Sequence, residues 1–215
     1  MINDVIFNNE KSAYEDWNIV LTKAEIPLPT PKTSIVDIKG ADGVIDLSET
    51  LTGDIQYKNR AIKLTFELLN DNDYYGLITE ISNYLHGKMV TVTLSNDEEY
   101  YYKGRASINS WGCVKRKGTI VITVDCEPYK YSVTQTTMMV KVANQTKTVT
   151  LVNSRKRVCP IINATGTIKL IIGSKEYTLS QGQQQLTNFI LVEGNNTIKI
   201  SGNGTVVITY RQGVL

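Results

Sequence analysis

The chain has 215 residues, of which 41% are hydrophobic and 20% charged, and its net charge is +2. This composition is that of a folded globular protein, and it excludes the collagen-like and intrinsically disordered classes. No apolar run approaches the roughly 18 residues that a membrane-spanning helix needs. The net charge conceals a division, because residues 1–133 carry 14 Lys and Arg against 19 Asp and Glu, whereas residues 134–215 carry 9 against 2. This reversal of charge predicts two domains, 1–133 and 134–215.

The first domain begins with short runs typical of β-strands. Strands are predicted at 2–7, 18–23, 33–38, 44–47 and 60–69. In the last of these, Ile62, Leu64, Phe66 and Leu68 occupy alternate positions, as in a half-buried strand. Between the second and third strands, Pro27, Pro29 and Pro31 occupy alternate positions. Because proline lacks a backbone donor and fixes φ, the segment 26–31 is predicted to be an extended loop or arm.

The hydrophobic period changes near residue 71. Five residues then fall on one stripe of a helix: Tyr74, Leu77, Ile78, Ile81 and Leu85. The stripe predicts a helix over about 72–86, with Asp71 as its N-cap and Gly87 just beyond its end. Further antiparallel strands are predicted at 88–94, 99–104, 106–111 and 119–125. The first domain is therefore predicted to be a β-barrel-like domain with one helix.

Thr, Val and Ile dominate the runs of the second domain, and Gly and Asn separate them. Seven short strands are predicted there, at 136–142, 146–152, 165–172, 176–179, 188–192, 196–201 and 205–210. A set of about seven strands without a helix favours a small β-sandwich. The predicted fold class of the whole chain is mainly β.

The single histidine limits the catalytic chemistry available to the chain. His86 falls in the last turn of the predicted helix, where an imidazole ordinarily bonds backbone groups. No G-x-S-x-G motif accompanies it, so catalysis by a Ser-His-Asp or Cys-His arrangement is not predicted. Cys113, Cys126 and Cys159 are odd in number and widely spaced, which predicts reduced core thiols rather than disulfides or a zinc site.

Two acidic clusters contain the residue types of a binding or catalytic site. Residues 71–73 resemble the start of a calcium loop, but Tyr75 and Ser82 stand at the fifth and twelfth positions, where the loop needs an acidic ligand. Residues 97–99 could supply the paired carboxylates of a glycosidase, but a predicted hairpin tip keeps them solvated. The sequence therefore predicts no enzyme activity, no cofactor and no metal site.

Two basic triplets, 115–117 and 155–157, could grip phosphate groups. Nucleic acid is not the predicted partner, because the second domain offers only Tyr177, Phe189 and Tyr210 for base stacking. The same positive charge suits an acidic protein or an anionic polymer of a cell wall. One alternative function is therefore a monomeric binding module that recognises an anionic glycan or a host surface.

Residues 38–49, IKGADGVIDLSE, followed by YKNR at 57–60, resemble the distal tail protein family of long-tailed siphophages. Four later stretches agree with that family in order and spacing: 84–88, 100–105, 125–131 and 193–215. The resemblance extends over nearly the whole chain, and it lies in patterns of turns and strands rather than in catalytic motifs.

The resemblance implies a structural virion protein without catalytic activity. Its N-terminal domain would close into a homohexameric ring at the end of the tail tube, and its C-terminal sandwich would be galectin-like or similar to a carbohydrate-binding module. The implied partners are other copies of itself, the tail tube protein, the tail-associated baseplate hub protein and, in some phages, a receptor-binding protein. The implied location is the virion tail tip, after assembly in the cytoplasm of the host. Similar parts occur in prophages and tail-like bacteriocins.

A ring of identical heterologous contacts needs two different faces on each subunit. The candidate contact residues are those of the proline segment, of the tyrosine-rich strand and of the basic hairpin: Pro27, Pro29, Pro31, Tyr100, Tyr102, Lys115, Arg116 and Lys117. The prolines are chosen because they stiffen an extended segment, and the tyrosines because they exceed what one core requires. Direct sugar binding by the second domain is not favoured, because that domain has no tryptophan.

Overall fold

The computed structural model describes residues 4–68, 74–114 and 117–215. It is mainly β with one helix in the described residues, which confirms the predicted fold class. The chain divides into two compact units, Met1–Lys130 with Leu215 and Tyr131–Val214.

The first unit contains the helix α1, Tyr74–Leu85. Its strands are β1 (Val5–Phe7), β2 (Lys11–Ser12), β3 (Ile19–Glu25), β4 (Pro31–Lys32), β5 (Ile35–Asp37), β6 (Val44–Asp46), β7 (Gln56–Tyr57), β8 (Arg60–Leu68), β9 (Met89–Leu94), β10 (Tyr100–Val114) and β11 (Lys117–Cys126). The main sheet follows the order β2-β1-β9-β10-β11-β8-β3. Within the described part of the chain this path has two free ends, β2 and β3, so the predicted barrel-like sheet is not a closed barrel.

Alternation along β8 builds the core of this unit. Ile62, Leu64 and Phe66 are fully buried, while the residues between them are exposed or half-buried. The predicted stripe of α1 packs onto the same core through Ile78, Ile81 and Leu85, together with Tyr74. Burial of this stripe confirms the helix prediction, whereas the predicted cap at Asp71 lies outside the described residues.

The predicted strands 99–104 and 106–111 form one strand, β10, which pairs with β11 over most of its length. A bulge between Ile108 and Ser110 interrupts this pairing without ending the strand. Gly87 has φ of 76°, as the residue that follows a helix commonly does.

The strands of the second part of the chain are β12 (Lys130–Ser132), β13 (Thr136–Ala143), β14 (Lys147–Asn153), β15 (Ile161–Ile172), β16 (Lys175–Leu179), β17 (Gly182–Gln185), β18 (Gly194–Tyr210) and β19 (Gly213–Val214). The sheet of the second unit has the order β13-β18-β15-β16, with β14 also paired to β18 and β17 to β15. Two long strands, β15 and β18, therefore form its spine.

A glycine corner divides both spine strands. Gly166 stands opposite Gly204, both have positive φ, and a Cβ on Gly166 would lie 2.2 Å from the carbonyl oxygen of Asn203. One half of β18 pairs with β14 and the other with β13, yet residues of both halves enter one core, as in a β-sandwich. The predicted strands 196–201 and 205–210 are thus a single strand. The predicted strand at 188–192 is wrong, since only an isolated bridge between Val158 and Leu191 forms there.

Candidate assembly surface

The proline segment opens an extension of the first unit that we call the arm, residues 27–58, between β3 and β8. Pro29 is buried, whereas Pro27 and Pro31 are exposed. Near the sheet the arm is held by the pairing of β4 with β7, and the backbone N–H of Lys58 donates to the carbonyl of Thr30 at 2.8 Å. Farther out it continues as a second ribbon, in which β5 pairs with β6.

The outer ribbon of the arm has one predominantly apolar face. Val36 stands directly opposite Ile45, and the N–H of Leu47 donates to the carbonyl of Ser34 at 2.8 Å, which extends the same register. Because residues two apart share a face of a strand, Val36, Ile38, Ile45 and Leu47 lie on one side, with Ser34 at its end. Each of these four apolar side chains is 41 to 47% exposed. We call this set the apolar face of the arm.

The opposite side of the ribbon mixes apolar and acidic residues. Ile35 lies opposite Asp46 and Val44 lies opposite Asp37, and all four are exposed. The backbone N–H of Ser48 donates to the Asp46 carboxylate at 2.8 Å, and hydrogen bonds from Ser48 lower the pKa of Asp46. The two faces of the ribbon thus differ: one is predominantly apolar, and the other combines apolar side chains with carboxylates.

Exposed apolar residues are concentrated on the arm. Eight exposed large hydrophobic residues lie within it, and one of them, Leu51, is 97% exposed: Leu28, Ile35, Val36, Ile38, Val44, Ile45, Leu47 and Leu51. Leu47 and Leu51 also line an open hollow of about 450 Å³. An isolated two-stranded ribbon is marginally stable in water, and contiguous exposed apolar surface marks interaction sites. The arm therefore has the properties of a surface that another protein covers.

The tyrosine-rich strand places its two candidate residues differently. Tyr100 is half-buried, and the Lys130 ammonium lies 4.6 Å from its ring centroid while also pairing with Asp97 at 2.6 Å. Tyr102 is buried in the core of the first unit, with 5% of its surface exposed, so its ring offers no surface to a partner.

The basic hairpin is placed only in part. Lys115 and Arg116 lie outside the described residues. The backbone of Lys117 pairs with Val114 at the start of β11. The predicted contact at this hairpin therefore stays a prediction.

Residues that the sequence singled out for chemistry have structural contacts. Asp97 is engaged by Lys130, and the Nδ1 atom of His86 accepts a hydrogen bond from the backbone N–H of Ile108 at 3.1 Å. Cys126 is a buried free thiol, and the half-buried Cys159 donates to the carbonyl of Leu186 at 3.0 Å. Across residues 4–68, 74–114 and 117–215, no group of three or more His, Cys, Asp or Glu could hold a metal ion. None of the helices described there has the length and apolarity to cross a membrane.

The aromatic residues of the second unit are turned inward. Tyr131, Phe189 and Tyr210 are buried, and Tyr177 is half-buried and donates its hydroxyl to the carbonyl of Asn188 at 2.8 Å. Residues 131–214, all of which the structure describes, therefore present no exposed aromatic side chain. Stacking on a sugar ring needs such a side chain.

The basic triplet 155–157 is half-buried and engaged within the second unit. Arg155 pairs with Glu193 at 3.5 Å. The Lys156 ammonium lies 2.6 Å from the Tyr131 hydroxyl and 4.4 Å from the centroid of that ring. These contacts reduce the positive charge and the number of hydrogen-bond donors that the triplet can present to an external anion.

Comparison with known proteins places the fold. No protein-family model matches the chain, and no curated protein matches it in sequence. Its fold is similar to that of a solved hub protein of a phage adsorption apparatus. The particular structure is that of SPP1 Dit (gp 19.1), described as a paradigm of the hub adsorption apparatus in phages that infect Gram-positive bacteria. The TM-score is 0.67 at 16% identity, over 98% of this chain and 99% of that one. The resemblance to distal tail proteins is thus confirmed at the level of the fold.

Proposed function

We propose that the protein is a structural hub at the tip of a long, non-contractile phage tail. In this role a homohexameric ring of the first units joins the tail tube protein to the tail-associated baseplate hub protein. Receptor-binding proteins attach at the periphery in the phages that use them. The protein acts in the virion, without catalytic activity, after assembly in the host cytoplasm.

Two observations support this function together. The fold matches that of a phage hub protein over nearly the full length of both chains. The arm exposes eight large apolar side chains, and exposed apolar surface of this extent marks a contact with another protein. Exposure of the arm is the observation that supports ring formation most directly. In a ring, each copy would cover the apolar face of its neighbour's arm with a different part of its own surface.

We assign the ring contacts first to the arm, with Pro27 and Pro31 fixing its direction. The surface around Tyr100 and the hairpin at 115–117 are proposed as further contacts with other copies or with tail proteins. Tyr102 and Pro29 are buried, so we assign them to the support of these surfaces.

The alternative of a module that binds an anionic glycan has one observation in its favour, the charge of the second domain. The engaged triplet 155–157 and the absence of exposed aromatic side chains from residues 131–214 count against it. We therefore prefer the hub.

The experiment is to make the apolar face of the arm polar and to measure self-association. The variant V36S/I45S removes the central cross-strand pair of that face, and the matched control I35S/V44S replaces the two apolar side chains of the opposite face of the same ribbon. We expect V36S/I45S to weaken association at least about tenfold, since burial of two aliphatic side chains stabilises a complex by several kcal/mol. The control should weaken it less. If light scattering shows equal oligomerisation of the wild type and V36S/I45S, the apolar face of the arm does not form the ring contact.

A further inference from the structure

Arg60 is a charged side chain inside an apolar core. It is the first residue of β8 and directly follows the end of the arm. Only 4% of its surface is exposed, and its guanidinium carbon lies 4.9 Å from the centroid of the Tyr102 ring. Its partner across the ladder, Cys126, is fully buried. The guanidinium is therefore surrounded by an aromatic ring and a thiol rather than by a carboxylate.

Two of the three guanidinium nitrogens of Arg60 donate no hydrogen bond to the described residues. Its Nε and Nη2 atoms are buried and have no acceptor among the described residues. Burial lowers the pKa of Arg60, and burial raises the pKa of Cys126 to about 12, so the neighbouring thiol carries no negative charge at neutral pH. The face of Tyr102 offsets part of the cost of burying the cation. A buried charge without a partner is nevertheless costly, and proteins rarely leave one so.

The arm carries the complementary charges. Four of its carboxylates are exposed and form no ion pair with any described residue: Asp37, Asp42, Asp46 and Glu49. Over residues 33–57 the only basic residue is Lys39. Within one chain, these carboxylates and the Arg60 guanidinium do not meet.

We propose that the Arg60 guanidinium is the docking site for a carboxylate on the arm of a second copy of the chain. The inference rests on the proposed ring, and it adds a polar contact to the contact made by the apolar face of the arm. Since so little of Arg60 is exposed, the chain at 58–59 must shift to admit the carboxylate. Such a pair fixes the register of the contact, because a charge-assisted hydrogen bond forms only when donor and acceptor are aligned.

The first test measures the thermal stability of R60M in dilute, monomeric protein. Methionine keeps the length of the side chain and removes the charge. If the guanidinium has no partner within the chain, the melting temperature of R60M is unchanged or higher, because replacing an unpaired buried charge by an apolar side chain is neutral or stabilising. The matched control is K63M, which removes an exposed positive charge from the same strand. A fall of more than about 5 °C beyond that control would show that Arg60 is satisfied within its own chain, and would overturn the proposal.

The second test is a double-mutant cycle on self-association. R60M and the arm variant D37N/D42N/D46N/E49Q should each weaken association about tenfold, and the combined variant should be no weaker than either alone. Additive losses would overturn the Arg60 pairing while leaving the ring intact. A wild type that never associates would instead overturn the ring itself, and the pairing with it.

Discussion

At the scale of single residues, Gly104 shows how closely the strands of the first unit approach one another. It lies in β10 opposite Cys126, and a Cβ atom added to it would lie 2.3 Å from the carbonyl oxygen of Asp125 and 2.6 Å from the Cα of Cys126. Both atoms belong to the backbone, so neither can rotate away. The position therefore requires glycine for reasons of space.

We expect Gly104→Ala to lower the free energy of unfolding by about 1–3 kcal/mol, because the added methyl group forces β10 and β11 apart. Urea denaturation measures this change. The matched control is Gly112→Ala in the same strand, where a Cβ would meet nothing within 4 Å. That substitution should leave stability unchanged or raise it by up to about 1 kcal/mol. Equal effects of the two substitutions would contradict the close approach.

At the scale of elements, the end of α1 takes over the edge of β10 where β9 stops. β9 pairs with β10 as far as Arg105, and beyond it the backbone N–H of Ala106 in β10 donates to the carbonyl of Lys88 at 2.9 Å. The N–H of Gly87 donates to the carbonyl of Ala106 at 2.8 Å. His86 then accepts the N–H of Ile108, just before the bulge. The imidazole thus serves as an acceptor that completes the sheet edge.

We expect His86→Ala to lower the free energy of unfolding by about 1 kcal/mol, since the Ile108 N–H loses its acceptor. His86→Asn, which keeps an acceptor near the Nδ1 position, should recover most of the loss. Hydrogen exchange gives a local measurement: the Ile108 amide should exchange faster in the alanine variant and return towards the wild-type rate in the asparagine variant. Unchanged protection of that amide in His86→Ala would show that this contact does not hold the edge.

The elements also show what a sequence pattern can predict. The apolar stripe of α1 and the alternation of β8 were enough to predict these two elements, because each pattern reflects burial in the core of the same unit. The sequence did not predict that β18 runs unbroken through 194–210. Its glycines indicated a turn between two strands, but in the fold they form a corner within one strand, whose course depends on its partners β13 and β14. Short β-like runs at 33–38 and 44–47 predicted the strands of the arm, but such runs do not indicate whether the same chain or another one covers the apolar face.

The candidate site was predictable only in part for the same reason. The prolines marked the arm, whereas the burial of Tyr102 and Arg60 depends on the register that brings β8, β10 and β11 together. A single Arg after a loop has no sequence signal that distinguishes a surface charge from a buried one.

At the scale of the whole molecule, the proposed hub combines a fold, an apolar arm and an uneven distribution of charge. Residues 1–133 are acidic and residues 134–215 are basic. We therefore expect an acidic protein of the tail to be attracted to the second domain rather than to the first. The proposed function depends on whether copies of the chain assemble into a closed ring.

The most direct measurement is the solution mass by light scattering across a concentration series, with and without the tail tube protein, followed by negative-stain imaging of any large species. The account predicts a species of six times the chain mass of 24.0 kDa that images as a closed ring. A strict monomer at every concentration, also in the presence of the tube protein, would contradict the hub and favour the glycan-binding module.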